Sequence, residues 1–326
     1  MILNIIYIIA GLILVIWGAD KLTGGASDLA ARMGVPQIII GLTIVAIGTS
    51  MPEFSVSLLS AIQGKPGLAV GNVVGSNIFN VLLIVGTAAA VAPIEIQKST
   101  IKKDMPWAMA ASVFLFAMGL DSVISLSDAI ILVTALCAFM VITLQTARKS
   151  MKASKVASSV ATDENANDDE AKTQQPKSAW VSIAFVLIGL VCLIFGSNVF
   201  VDGATAVASS LGVSDAIIGL TIVAGGTSLP ELATSVVAAK KGRSGIAIGN
   251  VIGSNVMNTL LILGVTGIIS PLSTQGISWV DFATMLVSIV LLWIFSFTKY
   301  RVERWEGWVL LTLFAAYMTW LLANAY

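Results

Sequence analysis

GLTIVAIGTSMPEFSVSLLSAIQGKPGLAVGNVVGSNIFNVLLIVG, residues Gly41–Gly86, returns 178 positions later as GLTIVAGGTSLPELATSVVAAKKGRSGIAIGNVIGSNVMNTLLILG, residues Gly219–Gly264, without a gap. The copies share 27 of 46 positions, so the chain is a duplication of one unit. Each copy sets one acid, Glu53 or Glu231, directly after a proline inside apolar sequence. The repeat reaches upstream as well, because Gly11, Leu12 and Gly18 recur as Gly189, Leu190 and Gly196.

The surrounding composition says what solvent this unit was made for. The chain is 57% hydrophobic and 11% charged, with several apolar runs of about twenty residues, which is the signature of an all-α integral membrane protein. Net charge is zero and no basic, aromatic-rich stretch is present, so nucleic acid is not an expected partner. Histidine is absent, which excludes a Ser-His triad, a His-ligated zinc site and an HExxH protease. Cys137 and Cys192 lie singly in apolar runs and read as small buried hydrophobes. The expectation is a transporter rather than an enzyme, with no cofactor and no obligatory protein partner beyond the lipid bilayer.

Windows long enough to span fall near residues 2–20, 38–63, 66–92, 105–120, 126–146, 179–201, 216–239, 245–270, 279–297 and 306–323. They predict ten helices: a first five-helix repeat in residues 1–146 and a second in 179–326. Between them, residues 147–178 turn to Lys, Ser, Ala, Asp, Asn and Gln, with an acidic cluster at Asp163, Glu164, Asp168, Asp169 and Glu170. So little apolar surface predicts a disordered linker, and the cluster has no EF-hand spacing. Placed on this frame, 17 of the 18 Lys and Arg fall on one side, and only Lys65 falls on the other. That asymmetry puts the linker in the cytoplasm and both termini outside. An odd number of helices per repeat makes the second copy enter the membrane from the opposite side, so the repeat is inverted. Inverted repeats gather their sites near the midplane, where broken helices meet.

Three features of the repeat carry chemistry. In GTSMPE and GTSLPE the proline, Pro52 or Pro230, removes a helix donor and crowds the carbonyl four residues back, at Gly48 or Gly226. A break there frees carbonyls and the hydroxyls of Thr49, Ser50, Thr227 and Ser228 beside a carboxylate. Glu53 and Glu231 sit too deep in their windows to snorkel, and a charge at that depth costs about 2.5–3.5 kcal/mol, so both are candidate ligands. In GNVVGSNIFN and GNVIGSNVMN, Asn72, Ser76 and Asn80 form one polar helical stripe, and Asn250, Ser254 and Asn258 another. The stripes read as neutral oxygen donors to the same cavity, and Gly71/Gly75 and Gly249/Gly253 read as close-packing sites. Hard oxygens with no soft ligand suit calcium, and the same carboxylates could instead hold sodium or take up protons.

These motifs resemble the sodium/calcium exchanger family of the calcium/cation antiporters, in GTSMPE with GNVVGSN and in GTSLPELATS with GNVIGSN. The resemblance implies ten helices in two inverted repeats, exchanging calcium for sodium by alternating access with a sliding first helix in each repeat. It implies Glu53 and Glu231 as shared carboxylate ligands, with hydroxyls or carbonyls from Thr49, Ser50, Thr227 and Ser228. Carbonyls of Ala46 and Ala224, hydroxyls of Ser76 and Ser254, and the side chains of Asn80 and Asn258 complete the set. Some members carry an aspartate at one of the last two positions, whereas this chain has asparagine at both, which argues against potassium dependence. A prokaryotic inner membrane is the expected location. Calcium/proton exchange on the same scaffold is the alternative, and a receptor that binds calcium without counterflow is a second.

Overall fold

The computed structural model describes residues 1–120, 122–164, 178–213, 222 and 224–324. The helices are α1 (Ile2–Met33), α2 (Gln37–Thr49), α3 (Met51–Ile62), α4 (Pro66–Val91), α5 (Met105–Gly119) and α6 (Leu126–Glu164). After the linker come α7 (Ala179–Ser210), α8 (Ala224–Thr227), α9 (Leu229–Lys240), α10 (Ser244–Ile269), α11 (Trp279–Phe297) and α12 (Arg304–Asn324). Seven of the described helices are long and apolar enough to cross a membrane. The pair α2–α3, bent by 46°, is apolar enough only when its two helices are taken together. Helix α5, at 15 residues, is shorter than these, and 214–221, the start of the expected window 216–239, lie outside the described residues.

Two elements run longer than their apolar windows. Helix α1 continues past residue 20 to Met33, where Gly34 closes it in a left-handed conformation at φ 62°. Helix α6 continues through Glu164, so residues 147–164, expected to be disordered, are helical. Ala, Lys, Arg and Met dominate the start of that extension, and good helix formers sustain a helix that is already nucleated with little burial, here Ala147 and part of Met151. Residues 165–177, with Asp168, Asp169 and Glu170, lie outside the described residues.

Helices α1 and α7 form an antiparallel pair on a glycine ladder of spacing seven: Gly11, Gly18 and Gly25 against Gly189, Gly196 and Gly203. A Cβ on Gly18 would stand 2.8 Å from the Gly189 carbonyl oxygen, and one on Gly25 would stand 2.6 Å from that of Ser182. Only residues without a side chain let the backbones approach so closely. The outer faces are apolar and exposed, as at Ile13, Ile16, Val191 and Phe195, which suits lipid. The opposite extreme is the pair α4 and α10, whose apolar windows are 72% and 78% buried and form the centre of the molecule.

Two short ladders join the copies. Ile94–Glu95 pairs antiparallel with Arg301–Val302, and Val123–Ile124 pairs with Leu272–Ser273. Under the 178-residue offset each ladder is the image of the other, so the two halves are related by a two-fold exchange of contacts. That symmetry is broken at α1 and α7. Helix α1 packs along α9, while α7 makes no comparable contact with α3. At the same end Asp20 pairs with Lys241, and Arg243 Nη1 donates to Thr23 Oγ1 at 3.1 Å. The image positions are Asn198 with Gln63 and Lys65 with Val201; the first two are uncharged and cannot form an ion pair, and the valine offers Lys65 no side-chain oxygen.

Candidate cation site at the paired helix breaks

The helix of the first copy breaks at Ser50, with φ −83° and ψ 8°, and that of the second at Ser228, with φ −89° and ψ 5°. Pro52 and Pro230 therefore lie in the first turn of new helices, where a missing N–H costs nothing. Glu53 and Glu231 share those first turns, at helix ends whose free N–H groups favour negative charge. The carbonyl that Pro230 crowds, Gly226 O, accepts from Ser197 Oγ of α7. Helix α7 covers both breaks: a Cβ on Gly48 would stand 2.5 Å from Leu190 Cδ2, and one on Gly226 would meet Val201.

The glutamates are held crosswise. Ser228 Oγ donates to Glu53 Oε1 at 3.1 Å, and Ser50 Oγ donates to Glu231 Oε1 at 3.0 Å. Each acid thus takes its serine from the other copy, 175 or 181 residues away. Ser50 Oγ also lies 3.0 Å from Ser254 Oγ, which brings α10 to the break. Thr49 Oγ1, with one proton to give, lies 3.1 Å from Val45 O and 3.0 Å from Asn250 Oδ1. The Ala46 carbonyl accepts from Ser50 N at 3.0 Å and lies 3.4 Å from Thr49 Oγ1. Ser76 is buried on α4, Thr227 closes α8, and Ala224 opens it.

The amides divide into two groups. Asn72 and Asn250 turn their amide nitrogens to the helix of the glutamate in their own copy, and Asn250 Oδ1 lies 3.0 Å from Thr49 Oγ1. Asn72 Nδ2 donates to Glu53 O at 3.1 Å and Ser57 Oγ at 2.9 Å, and Asn250 Nδ2 to Glu231 O at 3.4 Å and Ser235 Oγ at 3.0 Å. They tie the backbone of each glutamate to the neighbouring helix. Asn80 and Asn258 sit where the α-helical pattern of α4 and α10 widens to π, over Phe79–Val85 and Met257–Leu263, a local distortion common at functional sites.

What the arrangement leaves over is distinctive. Glu53 Oε2, Glu231 Oε2, Asn80 Oδ1 and Asn258 Oδ1 are buried without a hydrogen-bond donor, and they are two pairs of images under the repeat. The other unpartnered buried side-chain atoms among the described residues are five hydroxyls and Glu306 Oε1, no two of them images. A hydroxyl can turn to seek a partner, but a carboxylate or amide oxygen only accepts, so these four suit a cation. No group of three or more His, Cys, Asp or Glu converges among the described residues, so a cation held here would need neutral oxygens as well. Both glutamates are 1% exposed and therefore closed off from either face. A cavity of about 630 Å³ at the end of the molecule near Gln37, Glu95 and Arg301 includes neither of them.

Two residues that matter here escaped the sequence reading, Asn77 and Asn255, the partners of Asn258 and Asn80. Their identity in both copies was visible, but each lies one residue off the stripe. Ser57, Ser235 and Ser197 were likewise not singled out.

The sequence profile of the sodium/calcium exchanger protein family matches residues 3–145 and 181–323. The sodium/calcium exchanger MaX1 of Methanosarcina acetivorans is 33% identical over 340 residues, covering 97% of each chain. The inner membrane protein YrbG of Escherichia coli is 35% identical over 294 residues, covering 89% of this chain and 88% of that one. The fold is similar to that of the sodium-calcium exchanger NCX_Mj soaked with 10 mM Na+ and zero Ca2+, with a TM-score of 0.80 at 31% identity over 99% of each chain.

Proposed function

Because this chain belongs to the sodium/calcium exchanger protein family, an antiporter family of the membrane rather than an enzyme family, we propose that it exchanges calcium for sodium by alternating access at a site shared by Glu53 and Glu231. The observation that carries the proposal is the set of four donor-less acceptor oxygens in image pairs, Glu53 Oε2, Glu231 Oε2, Asn80 Oδ1 and Asn258 Oδ1. The hydroxyls of Thr49, Ser50, Thr227, Ser228, Ser76 and Ser254 and the carbonyls of Ala46 and Ala224 complete the ligand set around them. Two carboxylates balance one calcium ion or two sodium ions in turn. Competition between those loads for the same oxygens is what makes the transport an exchange.

Electrostatics supply the coupling. An unneutralised carboxylate at membrane depth costs about 2.5–3.5 kcal/mol, so a closed site with both charges bare lies roughly 5–7 kcal/mol uphill. A gap of about 5.5 kcal/mol is a 10⁴-fold difference in population, so the cation-free protein rarely switches sides and calcium does not leak. Cation binding removes the penalty and permits the switch.

We further assign ten membrane helices in two inverted repeats. The antiparallel α1–α7 pair and the ladders exchanged between the copies support inversion. The one-sided distribution of Lys and Arg supports a cytoplasmic linker and outside termini.

Calcium protection against thermal unfolding tests the site. At a calcium concentration 100 times Kd the parent gains about 2.7 kcal/mol, and Glu53→Gln and Glu231→Gln lose that gain. Full protection in both variants refutes the assignment.

A further inference from the structure

A primary amide presents two nearly isosteric ends, a carbonyl oxygen that binds a cation and an NH2 group that repels one. Asn80 and Asn258 can therefore act as ligands only if something decides which end faces the carboxylates. The structure contains that something in both copies. Asn80 Nδ2 donates to Asn255 Oδ1 at 2.9 Å, and Asn258 Nδ2 donates to Asn77 Oδ1 at 3.2 Å. Each amide is thus held by its NH2 group to an asparagine of the other repeat, and its oxygen is left as one of the four donor-less acceptors. All four asparagines are at most 2% exposed, so water cannot substitute for the missing partner.

The holder on one side is itself held. Asn77 Nδ2 donates to Thr259 Oγ1 at 3.0 Å, which leaves the Asn77 oxygen turned toward Asn258. The image of Thr259 is Val81, so Asn255 has no corresponding hydroxyl anchor. The two sides of the site are fixed by different devices.

We infer that Asn77 and Asn255 are positioning residues that hold Asn258 and Asn80 with their carbonyl oxygens turned to the transported cation, without touching the cation themselves. This rests on the proposed site. It explains why an asparagine recurs three residues before each ligand asparagine, on a helical neighbour that faces the opposite copy. It also shows how two neutral residues can stand where some relatives have a carboxylate, since a carboxylate offers oxygen at both ends and needs no holder.

That last point supplies the test. Half-saturating calcium for sodium-driven uptake is measured in proteoliposomes for Asn77→Ala in the parent and in the Asn258→Asp background. Asn255→Ala is measured likewise in the parent and with Asn80→Asp. In the parent, freeing one amide is expected to raise half-saturating calcium roughly tenfold, equivalent to about 1.4 kcal/mol. With a carboxylate at the ligand position, the same alanine substitution is expected to raise it less than about twofold, because no orientation remains to be lost; twofold is about 0.4 kcal/mol. Equal losses in both backgrounds would mean that Asn77 and Asn255 only fill space, and no loss in the parent would mean that they do not act; either overturns the inference. Detergent-solubilised unfolding temperatures identify variants that do not fold, and the two cycles are independent, so one folded set decides. Glu53→Gln and Glu231→Gln serve as controls: if they transport like the parent, the site itself is wrong, whereas their failure beside a silent Asn77→Ala sinks the positioning role alone.

Discussion

Replacing Asp20 with asparagine keeps the side chain's shape and removes half of an ion pair that exists at one end of the molecule only. Asp20 and Lys241 are 40% and 41% exposed, so solvent screens the pair, and such contacts are worth about 0.2–1 kcal/mol. Folding stability should therefore barely move. The consequence for transport is different, because the pair forms between α1 and the loop after α9 and has no image between α7 and the loop after α3. On the proposed alternating access it should stabilise one of the two states and not the other. Losing 0.2–1 kcal/mol from that state shifts the ratio of states by roughly 1.4–5-fold. Apparent affinity scales with the fraction of protein open to the side on which calcium is offered. Half-saturating calcium should thus fall at the Lys241 face and rise at the other, by up to that factor, in proteoliposomes sorted by orientation. The charge swap Asp20→Lys with Lys241→Asp should restore the parent ratio, and 1 M salt should abolish the difference, since the screening length is then about 3 Å. Equal changes at both faces, or an unfolding temperature lowered by more than a few degrees, would refute a state-selective latch.

The glycine ladder makes a harsher prediction: Gly18→Val places a Cβ 2.8 Å from the Gly189 carbonyl oxygen, and the overpacking is expected to destabilise by about 1–3 kcal/mol in thermal unfolding and to slow exchange. Burial pushes the Asp104 carboxyl, at the mouth of α5, up to about 6. A carboxyl raised in the folded state contributes stability that is present below its unfolded value of about 3.8 and lost as pH rises through 6. Asp104→Asn should therefore be more stable than the parent at pH 8 and no more stable near pH 4, as read by unfolding temperature across that range.

Much of the architecture was legible in the linear sequence because two of its determinants are local. Apolar windows report membrane depth, and Pro52 and Pro230 report where a helix must restart, which is where α3 and α9 begin. The duplication supplied the pairing of Glu53 with Glu231. Long-range choices were not legible. That Ser228 serves Glu53 and Ser50 serves Glu231 depends on how the copies interlock, not on either motif. Asn72 and Asn80 are chemically identical and lie on one stripe, yet Asn72 ties the backbone of its own copy while Asn80 is held by Asn255 of the other, a difference set by the partners that the fold supplies. The helical extension of α6 to Glu164 was missed for the opposite reason: composition measures what a segment can bury, and a continuation of an existing helix needs little burial of its own.

The central claim, that calcium and sodium compete for one site built on two glutamates, is tested most directly by calcium uptake into proteoliposomes with sodium and proton gradients imposed separately. Uptake driven by an outward sodium gradient at equal pH, absent in Glu53→Gln and Glu231→Gln, is the predicted result. Uptake that follows the pH gradient and ignores sodium would place the chain with calcium/proton exchange. Sodium-driven uptake undiminished in both glutamine variants would contradict the account.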